Sequence, residues 1–168
     1  MGAMDGLADR LEQAAAAMRD LGPAVAAREP WALTETYGPG PESEWGPREV
    51  LAHVGEMLTY WLGEIELIID SDPHAEPPGF GRLETDPIRI DIIGRDRRFP
   101  ARELLGRIEV EANRAASRFR ALTDDEAGRI GRHMTRGDLS ITDIAERLLV
   151  GHLEAHVTQL RDIVAAAR

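Results

Sequence analysis

The chain has no cysteine among its 168 residues. That excludes disulfide staples, thiolate metal ligands and a cysteine nucleophile. Aromatic residues are scarce, at 5%, so a core built here must rest on aliphatic side chains. No run reaches the roughly 18 apolar residues that a membrane-spanning helix needs, and no apolar segment follows a basic start as in a secretory leader. A cytoplasmic location is expected. Positive charge is also short: twenty Lys and Arg against thirty Asp and Glu give a net charge of −10. Surfaces for nucleic acid or anionic membrane need clustered positive charge, so neither partner is expected.

What is present is a globular composition, 43% hydrophobic and 30% charged. The length suits one domain, residues 1–168, with one sizeable core. Leu7, Leu11, Ala14, Met18, Leu21 and Val25 step by three and four, which predicts an amphipathic first helix that Gly22-Pro23 interrupts near its end. A Pro- and Gly-rich loop over 29–46 carries Trp31, Tyr37 and Trp45, expected to cap the core. Pro47 suits the first position of a second helix reaching about Ile69, with Val50, Val54, Met57, Trp61, Ile65 and Ile68 as its core stripe. Pro100 opens a third helix with the stripe Leu104, Ile108, Ala112, Ala115, Phe119 and Leu122. Thr123 and Glu126 have capping-box spacing for a short helix, and Ser140 with Asp143 has it for the last long one. Residues 70–100 lack a helical period and read as a long crossover, extended at most over Ile88, Ile90 and Ile92. Residues 132–138 read as a turn-rich connection. Four amphipathic helices without a convincing sheet make an all-α four-helix bundle with a long loop between the second and third helices.

On the last helix Ala145, Leu149, His152, His156, Leu160 and Ile163 form one stripe, so two imidazoles fall on the face expected to meet the core. Burying polar rings without partners costs roughly 1–3 kcal/mol each. A metal ion would satisfy them, though such pairs also occur on helix edges without a role. The spacing is not that of the zincin proteases, whose glutamate directly follows the first histidine; here that position is Leu153. His53 lies beside the stripe of the second helix, and three imidazoles converging from two helices supply the protein ligands of an open metal site. Glu56, one turn from His53, is a candidate to orient a ligand or act as a base. Arg95, Arg97 and Arg98 form a basic cluster, either a solvated loop end or an anion clamp for a substrate carboxylate. His133 is a weaker ligand candidate, and His74 is expected in solvent.

The segment Trp45-Gly46-Pro47-Arg48-Glu49-Val50-Leu51-Ala52-His53-Val54 resembles the opening of the second helix in DinB-like (YfiT-like) bundles. Ser140-Ile141-Thr142, His152 and His156 four apart, and the following Gln159 resemble that family's last helix. Leu122 to Glu126 and Gly137-Asp138-Leu139 also fit. The resemblance covers 45–69 and 100–163. Gly46 departs from it, since the family more often places a serine cap there. The resemblance implies an up-up-down-down bundle, often a homodimer, in which His53, His152 and His156 bind a divalent ion, nickel or zinc. It further implies thiol-dependent chemistry on a small-molecule substrate, as in mycothiol-dependent maleylpyruvate isomerases and bacillithiol S-transferases. With no cysteine in the chain, the nucleophile must arrive as a small thiol or as water. The Arg-, Ala- and Gly-rich composition, typical of GC-rich genomes, favours mycothiol. A metal-dependent S-transferase or isomerase is the leading expectation. A non-catalytic binding bundle and a water-based hydrolase are the alternatives.

Overall fold

The computed structural model describes residues 2–35 and 37–167. Four long helical segments form the bundle: α1 (Ala3–Asp20), followed by the short α2 (Gly22–Ala26); α3 (Pro47–Asp70); α5 (Ala101–Ala121); and a last segment made of α7 (Ile141–Ile144), a π-helical turn (Ala145–Val150) and α8 (Gly151–Ala166). The expected stripes are buried. Leu7, Leu11 and Met18 of α1, the six apolar residues of the α3 stripe, and Leu104, Ile108 and Phe119 of α5 share one core with Leu149, Leu153 and Leu160. Both capping boxes form: Thr123 Oγ1 accepts from the Glu126 amide at 3.2 Å to start α6 (Asp124–Ala127), and Ser140 Oγ accepts from the Asp143 amide at 3.0 Å. Among the described residues no helix is long and apolar enough to cross a membrane.

The chain directions differ from the expected up-up-down-down order. Arg19 meets Glu109 while Arg120 meets Asp9 and Glu12, so α1 and α5 are antiparallel. Gly55 lies against Ile108 and Glu66 pairs with Arg118, so α3 and α5 are parallel. Thr142 approaches Met4 and the Arg28 guanidinium reaches the Val164 carbonyl, so the last helix runs with α1. The order is therefore up, down, down, up. Amphipathic stripes carry no information about direction; connection length does, because parallel α3 and α5 need a crossover spanning the whole bundle.

That crossover is more ordered than its sequence suggests. The extended segment expected at Ile88–Ile92 is instead a helix, α4 (Pro87–Asp96), opened by Asp86, whose side chain accepts from the Arg89 amide at 2.9 Å. Its buried face is Arg89, Ile93 and Asp96. Two of those three residues are charged, so hydrophobic periodicity could not show the helix. A three-stranded sheet also forms where no sheet was expected. Strand β1 (Gly79–Phe80) pairs parallel with β2 (Ile130–His133), and β2 pairs antiparallel with β3 (Gly137–Ser140). Gly81 then turns the chain at φ +90, where a Cβ would meet the His133 ring at 2.6 Å, and delivers Arg82 back to α3.

Buried ion pairs anchor the crossover. Glu49 on α3 is fully buried; its Oε1 accepts from Arg97 Nη1 at 3.0 Å and from the Thr34 amide at 3.1 Å. Removing one member of a buried pair strands the other charge, which typically costs about 3 kcal/mol or more. Glu49→Ala is therefore expected to lower stability by about 3 kcal/mol in urea melts. Arg19→Ala, which breaks the exposed pair with Glu109, should move the midpoint little. Equal effects would mean that the Glu49–Arg97 pair does not anchor the crossover.

Candidate metal centre

His53 lies on the second turn of α3, and His152 and His156 lie one turn apart at the start of α8. The three Nε2 atoms point at one another. His53 and His152 approach to 3.3 Å between Nε2 atoms, and the His152 and His156 rings stack with centroids 4.7 Å apart. His53 and His156 are buried, and the His53 ring packs edge-to-face with the Trp45 indole, centroids 5.3 Å apart. The π turn sets this phase. Its wider winding ends where the Gly151 amide bonds the Glu146 carbonyl, and it buries Leu148, Leu149 and Val150 in succession before α8 resumes at the histidines. Such turns often occur beside functional sites.

A fourth group joins them. Glu42, in a 3₁₀ turn (Glu42–Glu44) ahead of α3, places Oε1 3.7 Å from His53 Nε2, and Oε2 3.6 Å from His156 Nε2 and 4.0 Å from His152 Nε2. Ligand atoms of all four residues lie within 4.8 Å of one another. A tetrahedral ion with ligands at 2.0–2.1 Å has them about 3.4 Å apart, close to these separations.

The surroundings favour neutral imidazoles and leave the Nε2 lone pair of His156 free. His156 Nδ1 contacts Gln159 Oε1 at 2.8 Å, and Gln159 Nε2 donates to the Glu42 carbonyl at 2.6 Å. Gln159 has only an oxygen to offer there, so Nδ1 carries the proton. His156 Nε2 is then left buried, unpartnered and facing the cluster. Burial, the neighbouring imidazoles, and Arg89 and Arg82 hold His53 well below its ordinary value; burial, His156 and Arg89 push His152 down to about 3. Burial also lowers His156, against the opposing effects of Gln159 and Glu42. An orphaned buried nitrogen, three neutral rings and one carboxylate fit a divalent ion well.

The remaining expected site residues are distributed differently. Glu56 stands behind His53, with Oε2 3.8 Å from Nδ1; neither atom has a hydrogen-bond partner. Its Oε1 pairs with Arg82, and burial raises the carboxyl above its usual range. That position suits orienting the ring more than acting as a base. The basic cluster does not converge on the imidazoles. Arg97 is buried against Glu49 and the Tyr37 ring, Arg95 pairs with Asp96, and Arg98 is exposed. The arginines that do reach the centre are Arg89, whose Nη2 donates to Glu42 Oε1 at 2.8 Å, and Arg82. His133 packs instead between Trp61 and Phe80, and His74 is exposed, as expected. Sequence reasoning missed Glu42 because a loop has no period. Its only signal is a carboxylate shortly before the His53 helix, which Glu44 shares.

Neutral imidazoles link stability to pH. The unfolded rings take up protons below about 6.5, whereas the folded rings resist them. Their contribution is therefore present above pH 6.5 and lost as pH falls. The metal-free protein should lose at most about 2 kcal/mol per imidazole between pH 7 and pH 5, read from thermal or urea melts. His152→Gln should flatten the profile. A wild-type profile that stays flat over this range would contradict the neutral cluster.

A search of curated proteins finds no match. Among solved structures the chain is similar to YfiT from Bacillus subtilis, described as a probable metal-dependent hydrolase with an unusual four-helix bundle topology. The two are 18% identical, with 98% of this chain and 87% of that chain covered and a TM-score of 0.76; at that identity the likeness concerns the fold. The family model of the DinB superfamily matches residues 5–160, a span that holds the core of all four long helices together with Glu42, His53, His152 and His156. The chain belongs to the DinB superfamily.

Proposed function

We propose that this protein binds a divalent ion, nickel or zinc, and uses it with a low-molecular-weight thiol such as mycothiol either to join that thiol through its sulfur to a small electrophile or to isomerise the electrophile. The observation that carries this reading is the meeting of three imidazole Nε2 atoms and the Glu42 carboxylate beside two cavities. One, about 540 Å³, is lined by Ser43, Thr158, Gln159 and Asp162 as well as Glu42, His152 and His156. Its hydroxyl, amide and carboxylate groups suit a polyhydroxylated thiol. The other, about 130 Å³, is lined by Met57, Trp61, Arg82 and Arg89 together with Glu42, His53 and His152. It suits a compact electrophile bearing an anionic group. In this reading Arg82 and Arg89 take the anion-binding role expected of Arg95, Arg97 and Arg98.

His53, His152 and His156 would hold the ion through Nε2. A bound divalent ion supplies a Lewis acid that lowers the pKa of a thiol or water and polarises an oxygen. Glu42 either completes the ligand set or accepts the proton of the entering nucleophile, since its carboxylate borders both cavities. Glu56 and Gln159 position His53 and His156 through their Nδ1 atoms, as outer partners of metal-bound histidines commonly do. A second reading, in which water is the nucleophile, is favoured by the likeness to YfiT.

Untagged protein is expected to hold about one equivalent of metal by elemental analysis, as one four-group site implies. Outer-shell substitutions typically cost 10- to 100-fold in metal affinity. Glu56→Gln should accordingly weaken zinc about tenfold, and His53→Ala by more. Undiminished zinc binding in His53→Ala would refute the ligand assignment. For the reaction, product from an electrophile should appear only when mycothiol is supplied. An equal rate without thiol assigns the site to water, and tight zinc binding without turnover under either condition leaves a non-catalytic bundle.

A further inference from the structure

A separate cleft of about 810 Å³ lies between α3, α4 and α5. Leu51 and Leu104 form buried parts of its wall, while Ile88 and Val110 at its mouth are 66% and 64% exposed. Two glycines from helix interiors, Gly55 and Gly106, front it. A glycine there costs about 1 kcal/mol relative to alanine. An added Cβ would meet only Ile108, at 3.8 Å, from Gly55, and nothing within 4 Å from Gly106. Packing within the fold requires neither glycine, and both keep the cleft wide.

One end of the cleft is polar. Arg82 and Glu56 line it, and Arg82 also lines the small cavity beside His53. The Glu56 side chain is 2% exposed, with Oε1 on Arg82 and Oε2 unpartnered. The Arg82 guanidinium lies 3.7 Å over the Tyr60 ring and, among the described residues, makes one hydrogen bond, to Glu56. A guanidinium carries five donors in a fork that matches a carboxylate, so most remain for a ligand. At the rim, Arg95 and Arg107 are paired with Asp96 and Glu103, while Arg102 is exposed and, among the described residues, makes no ion pair. Arg82 is thus the largely buried cation with open donors where the apolar wall meets the polar end, and Arg102 is an exposed one at the rim.

We propose that this cleft binds a small amphipathic carboxylate, with its apolar body between Gly55 and Gly106 and its carboxylate on the free donors of Arg82. The same arrangement ties the cleft to the imidazole cluster. A carboxylate that draws Arg82 away leaves Glu56 facing His53 Nδ1 at 3.8 Å. The site itself does not depend on the metal-based reading.

The test is calorimetric titration of the full chain, with and without zinc, using decanoate and decan-1-ol as probes. Wild type should bind one decanoate, about tenfold more tightly than the alcohol, because hydrogen bonds to charged groups are among the stronger ones. Arg82→Gln should remove that preference. Gly106→Leu fills the cleft while improving helix propensity; it should weaken both probes at least tenfold with the thermal midpoint kept or raised. No saturable decanoate binding, equal affinity for acid and alcohol in wild type, or unchanged affinity in Gly106→Leu would each overturn the proposal. So would sedimentation showing a wild-type dimer that Gly106→Leu converts to monomer, since the cleft would then belong to a second copy. Zinc uptake by the same samples is read separately, so failure of this site leaves the metal reading standing, and the reverse.

Discussion

Three imidazoles with inward-facing Nε2 atoms, packed between antiparallel helices, are the constraint to which the rest of this bundle answers. One proton between His53 Nε2 and His152 Nε2 at 3.3 Å satisfies that pair, but His156 Nε2 is left buried and unpartnered, and removing the rings from water without full hydrogen bonding is unfavourable. The fold accepts that cost at one end of the α3–α8 contact and covers it with apolar packing elsewhere. The covering is selective. Trp45 packs against one ring, Gln159 fixes a tautomer, and Glu42 brings a carboxylate that faces all three rings. The arrangement makes physical sense as a cation site whose ligands are already deprotonated.

Each neighbouring feature can be traced to holding that cluster. The π turn before α8 sets where His152 and His156 emerge. Gln159 bonds both His156 and the main chain at Glu42, so the loop ahead of α3 and the face of α8 are registered by one side chain. The small sheet pins the start of the crossover to the connection between α6 and α7, and Gly81 turns the chain so that Arg82 returns to Glu56. A distance of 3.8 Å between Glu56 Oε2 and His53 Nδ1 is long for a hydrogen bond.

The four stripes, their caps and the inward histidines were legible in the sequence because each is a local pattern of period about 3.6 or a fixed capping spacing. What escaped reading is non-local or charged. The α4 helix buries Arg89 and Asp96 beside Ile93, so its pattern looks polar and leaves only the misleading alternation of exposed Ile88 with Ile90 and Ile92. Strands of two and four residues, interrupted by Gly79, Gly131 and Gly137, have no periodicity to detect. Helix direction is a property of connections and not of stripes. Glu42 is identified only when three histidines from two helices are seen around it. The cluster Arg95, Arg97 and Arg98 looked like a ligand site because adjacent charges in sequence suggest one patch, whereas a helix end sends them to different neighbours.

The arginines explain how an acidic chain supports this site. All twenty cationic side chains are arginine, and three from one crossover, Arg82, Arg89 and Arg97, meet Glu56, Glu42 and Glu49. These carboxylates sit on or just ahead of the first half of α3, around His53. Without the arginines, the Glu42 carboxylate beside His156 would favour the protonated ring more strongly. Burial first, and the neighbouring imidazoles next, hold His53 and His152 below their ordinary value, and Arg89, joined by Arg82 at His53, acts in the same direction, while Glu42 keeps an oxygen turned toward the cluster. A planar guanidinium serves here because one nitrogen can bind a carboxylate while others reach a second acceptor, as Arg89 does with Glu42 and the Glu84 carbonyl; a lysine ammonium lacks that fixed fork. The long crossover, which returns the chain to the end of the bundle where α5 begins, thus also supplies the cations that pair with all three carboxylates.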